Sequence, residues 1–274
     1  MSPARLRLGH LYPHEMSIYG DRGNVLSLLD RSRRRGIELE VMEIGRGPAD
    51  IDGVDIFFIG GGQDLDQDLV ARDLAGDKRA QLVEAVAGGA VLLAVCGGYQ
   101  FLGSHYTTVD GTRLPGLGLV DLRTEAGERR AIGNVIVETN GLGLSPTTLV
   151  GFENHAGRTY LGPGLQPLGR CLVGSGNNGD DGNEGVVAGT VIGTYLHGSL
   201  LPKNPHLTDR ILEMALRRRD PSAELAPLAA DEEMAAHHAM GRAHRARRPR
   251  WQAMSEPGNE RQAMKGGGVG QARG

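Results

Sequence analysis

Two largely apolar runs, each beginning directly after a glycine, constrain the fold more than any other feature of this sequence. They are VDIFFI at 54–59 and AVLLAV at 90–95. A strand on the surface of a sheet alternates apolar and polar residues, whereas a strand buried on both faces is apolar throughout. A helical pattern at 77–87 separates the runs and ends at Gly88 and Gly89. The runs therefore predict central strands of a parallel sheet that helices cover on both faces.

The remaining segments extend this α/β pattern. Residues 5–11 and 37–43 read as strands, and 24–35 reads as a helix that begins at Asn24 and stops before Gly36. After residue 104, Gly and Pro turns separate short strand candidates. These are 117–122, 131–138, 148–152, 168–173 and a pair within 186–198, followed by a closing helix at 204–219.

The sequence changes in character near residue 220. We expect one domain over 1–220 and an Ala-, Pro-, Arg- and Gly-rich tail over 221–274, which includes GRAHRARRPR at 241–250. Such a composition offers little apolar surface to bury, so it favours disorder, with a short helix possible at 228–240. We therefore expect the tail to be dispensable and its His237 and His238 to be solvated.

Composition excludes several classes of protein. A net charge of −3 and 4% aromatic residues argue against nucleic-acid binding. No apolar run approaches the roughly 20 residues of a membrane span, and the start lacks the apolar core of a signal peptide. Two cysteines are too few for a disulfide framework or a four-thiolate metal site, so we expect a reduced, cytoplasmic protein without metal.

The clearest sign of chemistry is AVLLAVCGGYQFLG at 90–103, in which a buried strand runs into Cys96. Two glycines and a helix start at YQFLG follow, as in a nucleophile elbow. The tight turn would hold the thiol at the carboxyl end of the strand, where α/β sheets place their sites. The helix start would favour the thiolate, and the Gly97 N–H would face a developing oxyanion.

A cysteine nucleophile needs a base, and nine histidines are available. His197 ends the apolar strand VIGTYL, which places it on the same edge of the sheet as Cys96. His10 and His14, near the end of the first strand, are weaker alternatives. His155, in the polar turn GFENHAGR, either lines the site or is structural.

A third feature is FFIGGGQD at 57–64, where three glycines follow a central strand. Consecutive N–H groups in such a loop can face an anion. A Gly-rich loop alone is weak support for a site, because many such turns are structural. Beside the Cys96 elbow, it suggests the second half of an oxyanion hole.

Together these features resemble the class I glutamine amidotransferases, and within them the CobB/CobQ-like family. The resemblance runs over about 15–220. Its motifs are YGDRGN (19–24), GGGQD (60–64), AVCGGYQFLG (94–103), RRAIGN (129–134), GFENHAGRT (151–159), GSGNNGDDGNEG (174–185) and GTYLHG (193–198). It implies a flavodoxin-like three-layer sandwich with a mostly parallel central sheet.

The resemblance implies roles for the two main candidates. Cys96 falls on the catalytic nucleophile and His197 on the catalytic base. Related enzymes place a carboxylate two residues after this histidine, but Ser199 stands there. The pattern is compatible with a Cys–His dyad, and an acid from elsewhere, such as Glu153 or Asp21, could still orient the imidazole.

The resemblance also implies residues that contact substrate. Arg130, in RRAIGN, falls on an arginine whose guanidinium suits the α-carboxylate of glutamine. Gln100 falls where relatives contact the same substrate. Gly61 or Gly62, with Gly97, would supply the oxyanion hole.

The implied function is that of a glutaminase subunit. Within the family, the motifs are most similar to subunits that release ammonia from L-glutamine for a MurT-like Mur ligase. Such a partner uses ATP and Mg²⁺ to amidate the D-glutamate α-carboxylate of lipid II, giving D-isoglutamine. No GxxxxGK[ST] phosphate-binding motif occurs here, so we expect no cofactor in this chain. The alternatives are an amidase of cobyric acid type in cofactor biosynthesis and a non-catalytic scaffold.

Overall fold

The fold is built on a six-stranded sheet in which five neighbouring strands are parallel. The computed structural model describes residues 4–18 and 20–247. When the five parallel strands alone are counted 1 to 5 along the chain, their order across the sheet is 2-1-3-4-5. This is the flavodoxin-like arrangement, and it confirms the predicted fold class. The strands are β1 (Arg5–Leu11), β2 (Glu38–Ile44), β3 (Ile56–Ile59), β4 (Val91–Val95), an antiparallel edge strand β11 (Val186–Ala188) and β12 (Val191–Thr194).

Helices cover this sheet, and every residue of β3 and β4 is buried, as their apolar sequences predict. The chain moves from β1 to its neighbour β2 at one edge of the sheet, and then continues in the opposite direction to β3, β4 and β12. Because such crossover connections are right-handed, the first helix covers one face of the sheet and the next two cover the other. The first helix packs on the two that follow β12. The helices are α1 (Arg22–Arg33), α2 (Asp64–Leu74), α3 (Asp77–Ala87), α4 (Gly97–Gln100), α5 (Leu200–Lys203) and α6 (Pro205–Arg219).

A second sheet flanks the first and is dominated by a long antiparallel hairpin. The expected short strands at 131–138 and 148–152 are parts of two longer ones. The polar stretch RTEAGERR continues the first of these, with a register shift between Ala126 and Ala131. The strands are β5 (His105–Thr107), β6 (Arg113–Pro115), β7 (Leu122–Thr139), β8 (Thr148–Leu161), β9 (Gly169–Val173) and β10 (Asn183–Glu184).

The expectation of a disordered tail is wrong for residues 231–247, where the short helix allowed at 228–240 is present and extends further along the chain. Residues Asp231–Arg247 form helix α7, which packs against α5 and β8. Arg31, only 2% exposed, reaches Glu233 at 3.0 Å. His237, expected to be solvated, is buried and hydrogen-bonds Thr148 and the Lys203 carbonyl.

The contacts of Glu233 and His237 that hold α7 against the rest of the protein are polar. A prediction based on apolar residues in the sequence therefore misses them. His238 is exposed, as predicted. Residues 248–274 lie outside the described residues. Within the described part of the chain, none of the helices has the length and apolarity needed to cross a membrane.

Candidate active site

The two residues singled out by the sequence meet at one edge of the central sheet. Strands β4 and β12 are parallel neighbours, with Val95 opposite Thr194, so both deliver the chain that follows them to the same edge. The Cys96 N–H donates to the Thr194 carbonyl at 2.8 Å. A Cβ on Gly61 would lie 2.8 Å from His197 Cε1 and 3.2 Å from Cys96 Cβ, so the two side chains are neighbours, and interactions with Cys96 raise the pKa of His197. The structure therefore brings a thiol and an imidazole together at one edge of the sheet, as their strand-end positions predict.

Cys96 sits on a strained turn. Its φ of 52° and ψ of −106° lie in a region that residues with a side chain rarely adopt. The turn is possible because Gly98 packs directly on Ile59 and its N–H donates to the Gly60 carbonyl at 3.0 Å. Helix α4 begins at Gly97, two residues earlier than predicted, and is a single turn. This geometry projects the thiol away from the sheet towards the glycine loop after β3.

The backbone of His197 is held by strand β8. Its N–H donates to the Phe152 carbonyl at 2.7 Å, and its carbonyl accepts from the Phe152 N–H at 3.2 Å. Strand β8 thus fixes the position of the imidazole, which is fully buried. The other candidate bases lie elsewhere: His10 packs on Phe58 in the core, and His14 is exposed.

Asp21, from the YGDRGN loop, is the acid beside His197. Its Oδ1 lies 3.7 Å from His197 Nδ1, and both side chains are buried. Its Oδ2 accepts the Gly61 N–H at 2.8 Å. Glu153 instead accepts the N–H groups of Ser175 and Gly176. Of the two acids left open by the sequence, the structure selects Asp21.

The loop that carries Asp21 packs on Ser199, two positions after His197. Ser199 donates through its hydroxyl to the Gly20 carbonyl at 2.8 Å. A Cβ on Gly23 would collide with the same hydroxyl. A longer side chain at position 199 would displace the loop that carries Asp21.

The surroundings of His197 favour its charged form. Burial lowers its pKa, but charge and hydrogen-bond interactions with Cys96 and Asp21 outweigh burial and raise the pKa to about 10. An imidazolium between a thiol group and a carboxylate is the arrangement that stabilises a cysteine thiolate. The site is therefore equipped for nucleophilic attack by sulfur.

The glycine loop after β3 provides only part of the predicted oxyanion hole. The Gly61 N–H is occupied by Asp21, so Gly61 is not a free donor. Its role is steric, because a Cβ there would lie 2.8 Å from His197 Cε1 and 3.2 Å from Cys96 Cβ. The N–H groups of Gly62 and Gly97 have no acceptor among the described atoms. Gly62 and Gly97 are therefore the pair available to an oxyanion.

The two predicted substrate contacts have different settings. Gln100 is buried, its Nε2 donates to the Tyr195 hydroxyl at 3.3 Å, and its Oε1 has no partner among the described atoms. Arg130 is exposed on β7 and donates to the side chain and carbonyl of Asn154 at 3.0 and 3.2 Å. Within the described part of the chain, no hydrogen bond joins Arg130 to Cys96 or Gln100, so its role stays a prediction.

Some residues around the site were missed or left undecided by sequence reasoning. His155 stacks on Tyr195, with ring centroids 3.6 Å apart, and thereby supports the partner of Gln100. Gln67 lies against Gly97, but it belongs to helix α2, which was not predicted. The charged run DLDQDLVARD hid the apolar face of that helix. Within the described residues, no group of three or more His, Cys, Asp or Glu side chains could hold a metal ion.

Known proteins match the chain over most of its length. Residues 7–205 match the model of the CobB/CobQ-like glutamine amidotransferase domain. The chain is 43% identical over 215 residues to the lipid II isoglutaminyl synthase (glutamine-hydrolyzing) subunit GatD of Staphylococcus aureus, covering 78% of this chain and 86% of that protein. It is 36% identical to the subunit of the same name from Streptococcus pneumoniae, covering 79% and 83%.

More distant relatives share parts of the chain or the fold. A cobyric acid synthase of Pelotomaculum thermopropionicum is 34% identical over 60% of this chain, but only 33% of that synthase is covered. A solved glutamine amidotransferase structure superposes with a TM-score of 0.53 at 20% identity, covering 76% of this chain and 98% of that one. PurLQS from Thermotoga maritima also gives a TM-score of 0.53, at 16% identity, covering 80% and 100%.

Proposed function

Because the chain belongs to the CobB/CobQ-like glutamine amidotransferase family, we propose that it hydrolyses L-glutamine as the glutaminase subunit of a lipid II-amidating enzyme. The observation that carries the proposal is the contact between Cys96, on its strained turn, and the buried imidazole of His197. The GatD proteins of two bacteria, which are matched along most of their length, bear the name of this activity.

The first chemical step is attack by sulfur on the side-chain amide of glutamine. The thiolate of Cys96 adds to the amide carbon, and the oxygen becomes negatively charged. The N–H groups of Gly62 and Gly97 are the donors that stabilise this charge. Asp21 orients His197, and the imidazolium gives its proton to the amide nitrogen, which leaves as ammonia when the C–N bond breaks.

The second step releases glutamate. Having given up its proton, His197 accepts one from water, which attacks the γ-glutamyl thioester at Cys96. The thiolate leaves, and the Cys96–His197 pair returns to its starting charge state. Gln100, whose Oε1 is free to accept a hydrogen bond, and Arg130 are the proposed contacts for the amino-acid end of the substrate.

The ammonia needs a second protein. Amidation of a carboxylate requires that carboxylate to be activated, and the sequence contains no GxxxxGK[ST] motif. We propose that a MurT-like ligase supplies ATP and Mg²⁺ chemistry in the cytoplasm. It would convert the D-glutamate α-carboxylate of lipid II to D-isoglutamine with the ammonia released here.

The alternative of a cobyric acid type amidase has weaker support. The match to such a synthase covers one third of its length, against 86% of the Staphylococcus aureus GatD. The scaffold alternative conflicts with the close contact of Cys96 and His197. A cobyric acid type amidase would hydrolyse glutamine without amidating lipid II, and a scaffold would not hydrolyse glutamine.

The test combines purified protein, glutamine, ATP and lipid II, with and without a MurT-like ligase. We expect glutamate in both mixtures when glutamine is present, and amidated lipid II only with the ligase. Amidated lipid II formed without a second protein would refute the division of labour. Absence of glutamine hydrolysis in the complex would refute the glutaminase itself.

A further inference from the structure

Two side chains lie against both glycines of the oxyanion hole. Met16 is fully buried, and its thioether blocks the space that a Cβ on Gly62 would need. The Met16 methyl carbon would lie 3.0 Å from a Cβ on Gly97. The carboxamide nitrogen of Gln67 would lie 2.8 Å from that same Cβ. The two donors are therefore packed on one shared surface made by Met16 and Gln67.

Gln67 is also hydrogen-bonded to one of these glycines. Its Nε2 donates to the Gly62 carbonyl at 3.0 Å, and its side chain is buried. Its own backbone is fixed in the first turn of α2, where its N–H donates to the Gln63 carbonyl at 2.9 Å. Gly62 has no side chain that could pack against α2. The hydrogen bond from Gln67 to the Gly62 carbonyl is therefore the contact by which α2 restrains Gly62.

We infer that Gln67 is a positioning residue that sets the Gly62 donor relative to the Gly97 donor. Its carboxamide bonds to the first glycine and packs on the second, so it fixes their spacing. The inference rests on the proposed glutaminase function. It assigns Gln67 no contact with substrate.

A residue of this kind affects the transition state more than substrate binding. The oxygen of the glutamine amide carries full negative charge only after sulfur has attacked, so misplaced donors slow the chemical step. Loss of a complete oxyanion-hole donor lowers kcat by about 100- to 1,000-fold in a protease. Displacement of a donor that remains present should cost less, on the order of 10- to 100-fold in kcat, with KM unchanged.

The test compares Gln67→Met with the wild-type chain, each in complex with its native partner. Methionine has a similar size but cannot donate to the Gly62 carbonyl. Arg72→Met is the matched control, because Arg72 is an exposed residue of the same helix and, among the described residues, forms an ion pair with Asp68 alone. We expect reduced kcat at constant KM for Gln67→Met and wild-type kinetics for Arg72→Met.

Alkylation of Cys96 by iodoacetamide provides a second readout. Displacement of iodide occurs at a saturated carbon and creates no oxyanion, so its rate should be equal in the wild type and in Gln67→Met. Equal slowing of alkylation and hydrolysis would show that the thiol itself is disturbed and would overturn the inference. A normal kcat, or a defect confined to KM, would overturn it as well.

A second variant covers the case in which Gln67→Met does not fold. Gln67→Glu keeps the shape of the side chain, and its carboxylate cannot donate to Gly62 until it is protonated. Its kcat deficit relative to wild type, measured at each pH, should therefore narrow as the pH falls. A deficit independent of pH would count against the inference, whereas a wild-type enzyme without hydrolysis would count against the proposed function instead.

Discussion

The carboxylate of Asp21 lies 3.7 Å from Nδ1 of His197, and both side chains are buried. The same carboxylate accepts the N–H of Gly61, the residue packed on Cys96 and His197. Asp21 thus connects His197 with the glycine loop after β3. Its place in the chain is 176 positions before the histidine it orients, whereas related enzymes are expected to use an acid two positions after it.

Asp21→Asn should lower kcat without unfolding the protein. An asparagine oxygen can still accept from Gly61, but its NH₂ group then faces His197 Nδ1 and cannot stabilise the imidazolium. The corresponding change in a serine protease costs about 10⁴ in kcat, and we expect a loss on the order of 100-fold or more here. Asp30→Asn, on the exposed side of α1, is the control. Equal kcat in both variants would remove Asp21 from the mechanism.

Cys96→Ala should abolish glutamine hydrolysis while the fold persists. Loss of the nucleophile in a protease triad costs on the order of 10⁶ in turnover. Cys171 is a built-in control, because burial raises the pKa of its thiol to about 12 and keeps it protonated. The measurement is glutamate release by each variant. Activity that survives in Cys96→Ala but disappears in Cys171→Ala would show that the site is wrongly assigned.

The titration of His197 should depend on Cys96. In the wild type, its pKa of about 10 keeps the ring protonated through neutral pH. Cys96→Ala removes the largest interaction that raises this pKa, so burial should then lower it. The ring proton signals in NMR spectra measure both titrations. An unchanged pKa in Cys96→Ala would contradict the thiolate–imidazolium pair.

The same shift has a consequence for stability. The folded-state pKa of His197 lies above the 6.5 of an unperturbed histidine, so the folded protein binds this proton more tightly. The resulting stabilisation is fully present below pH 6.5 and is lost as the pH rises through about 10. The difference in melting temperature between wild type and His197→Gln should accordingly shrink over that range.

Arg130→Ala should raise KM for glutamine and leave kcat nearly unchanged. A carboxylate bound by Arg130 would be present in both the ground state and the transition state, so its loss weakens binding uniformly. Arg130→Lys should not restore KM, because lysine cannot make a bidentate contact. Arg129→Ala and Arg158→Ala test the neighbouring arginines. A wild-type KM in Arg130→Ala would transfer the role to one of them.

The sequence predicts the part of the site that comes from buried strands. Cys96 and His197 follow apolar runs, and parallel strands end at a common edge, so their meeting follows from pattern alone. Asp21 and Glu153 could not be separated in this way, because each lies in a polar segment whose path depends on tertiary packing. Gly61 and Gly62 looked equivalent until the hydrogen bond from Asp21 distinguished them. These differences arise from contacts between segments far apart in the chain, which local patterns do not record.

Removal of residues 221–274 should destabilise the protein, contrary to what the composition of this segment suggests. Arg31 would lose the hydrogen bond from its Nη1 to Glu233 and keep those to Asp209, and a hydrogen bond to a charged group contributes about 1.5–3 kcal/mol. His237 would no longer hold the carbonyl of Lys203, whose ammonium donates to the carbonyl of Gly198, next to His197. The truncated chain should therefore show a lower melting temperature together with reduced glutaminase activity.

A chain that ends after Arg247 is the matched comparison, because it keeps all of α7. We expect it to retain the melting temperature and activity of the full-length protein. Glu233→Gln separates the two effects of truncation, since it weakens the ion pair with Arg31 and leaves the contact between His237 and Lys203 in place. It should lower the melting temperature with little change in kcat. If the chain ending at residue 220 matched the full-length protein in both measurements, α7 would have no supporting role.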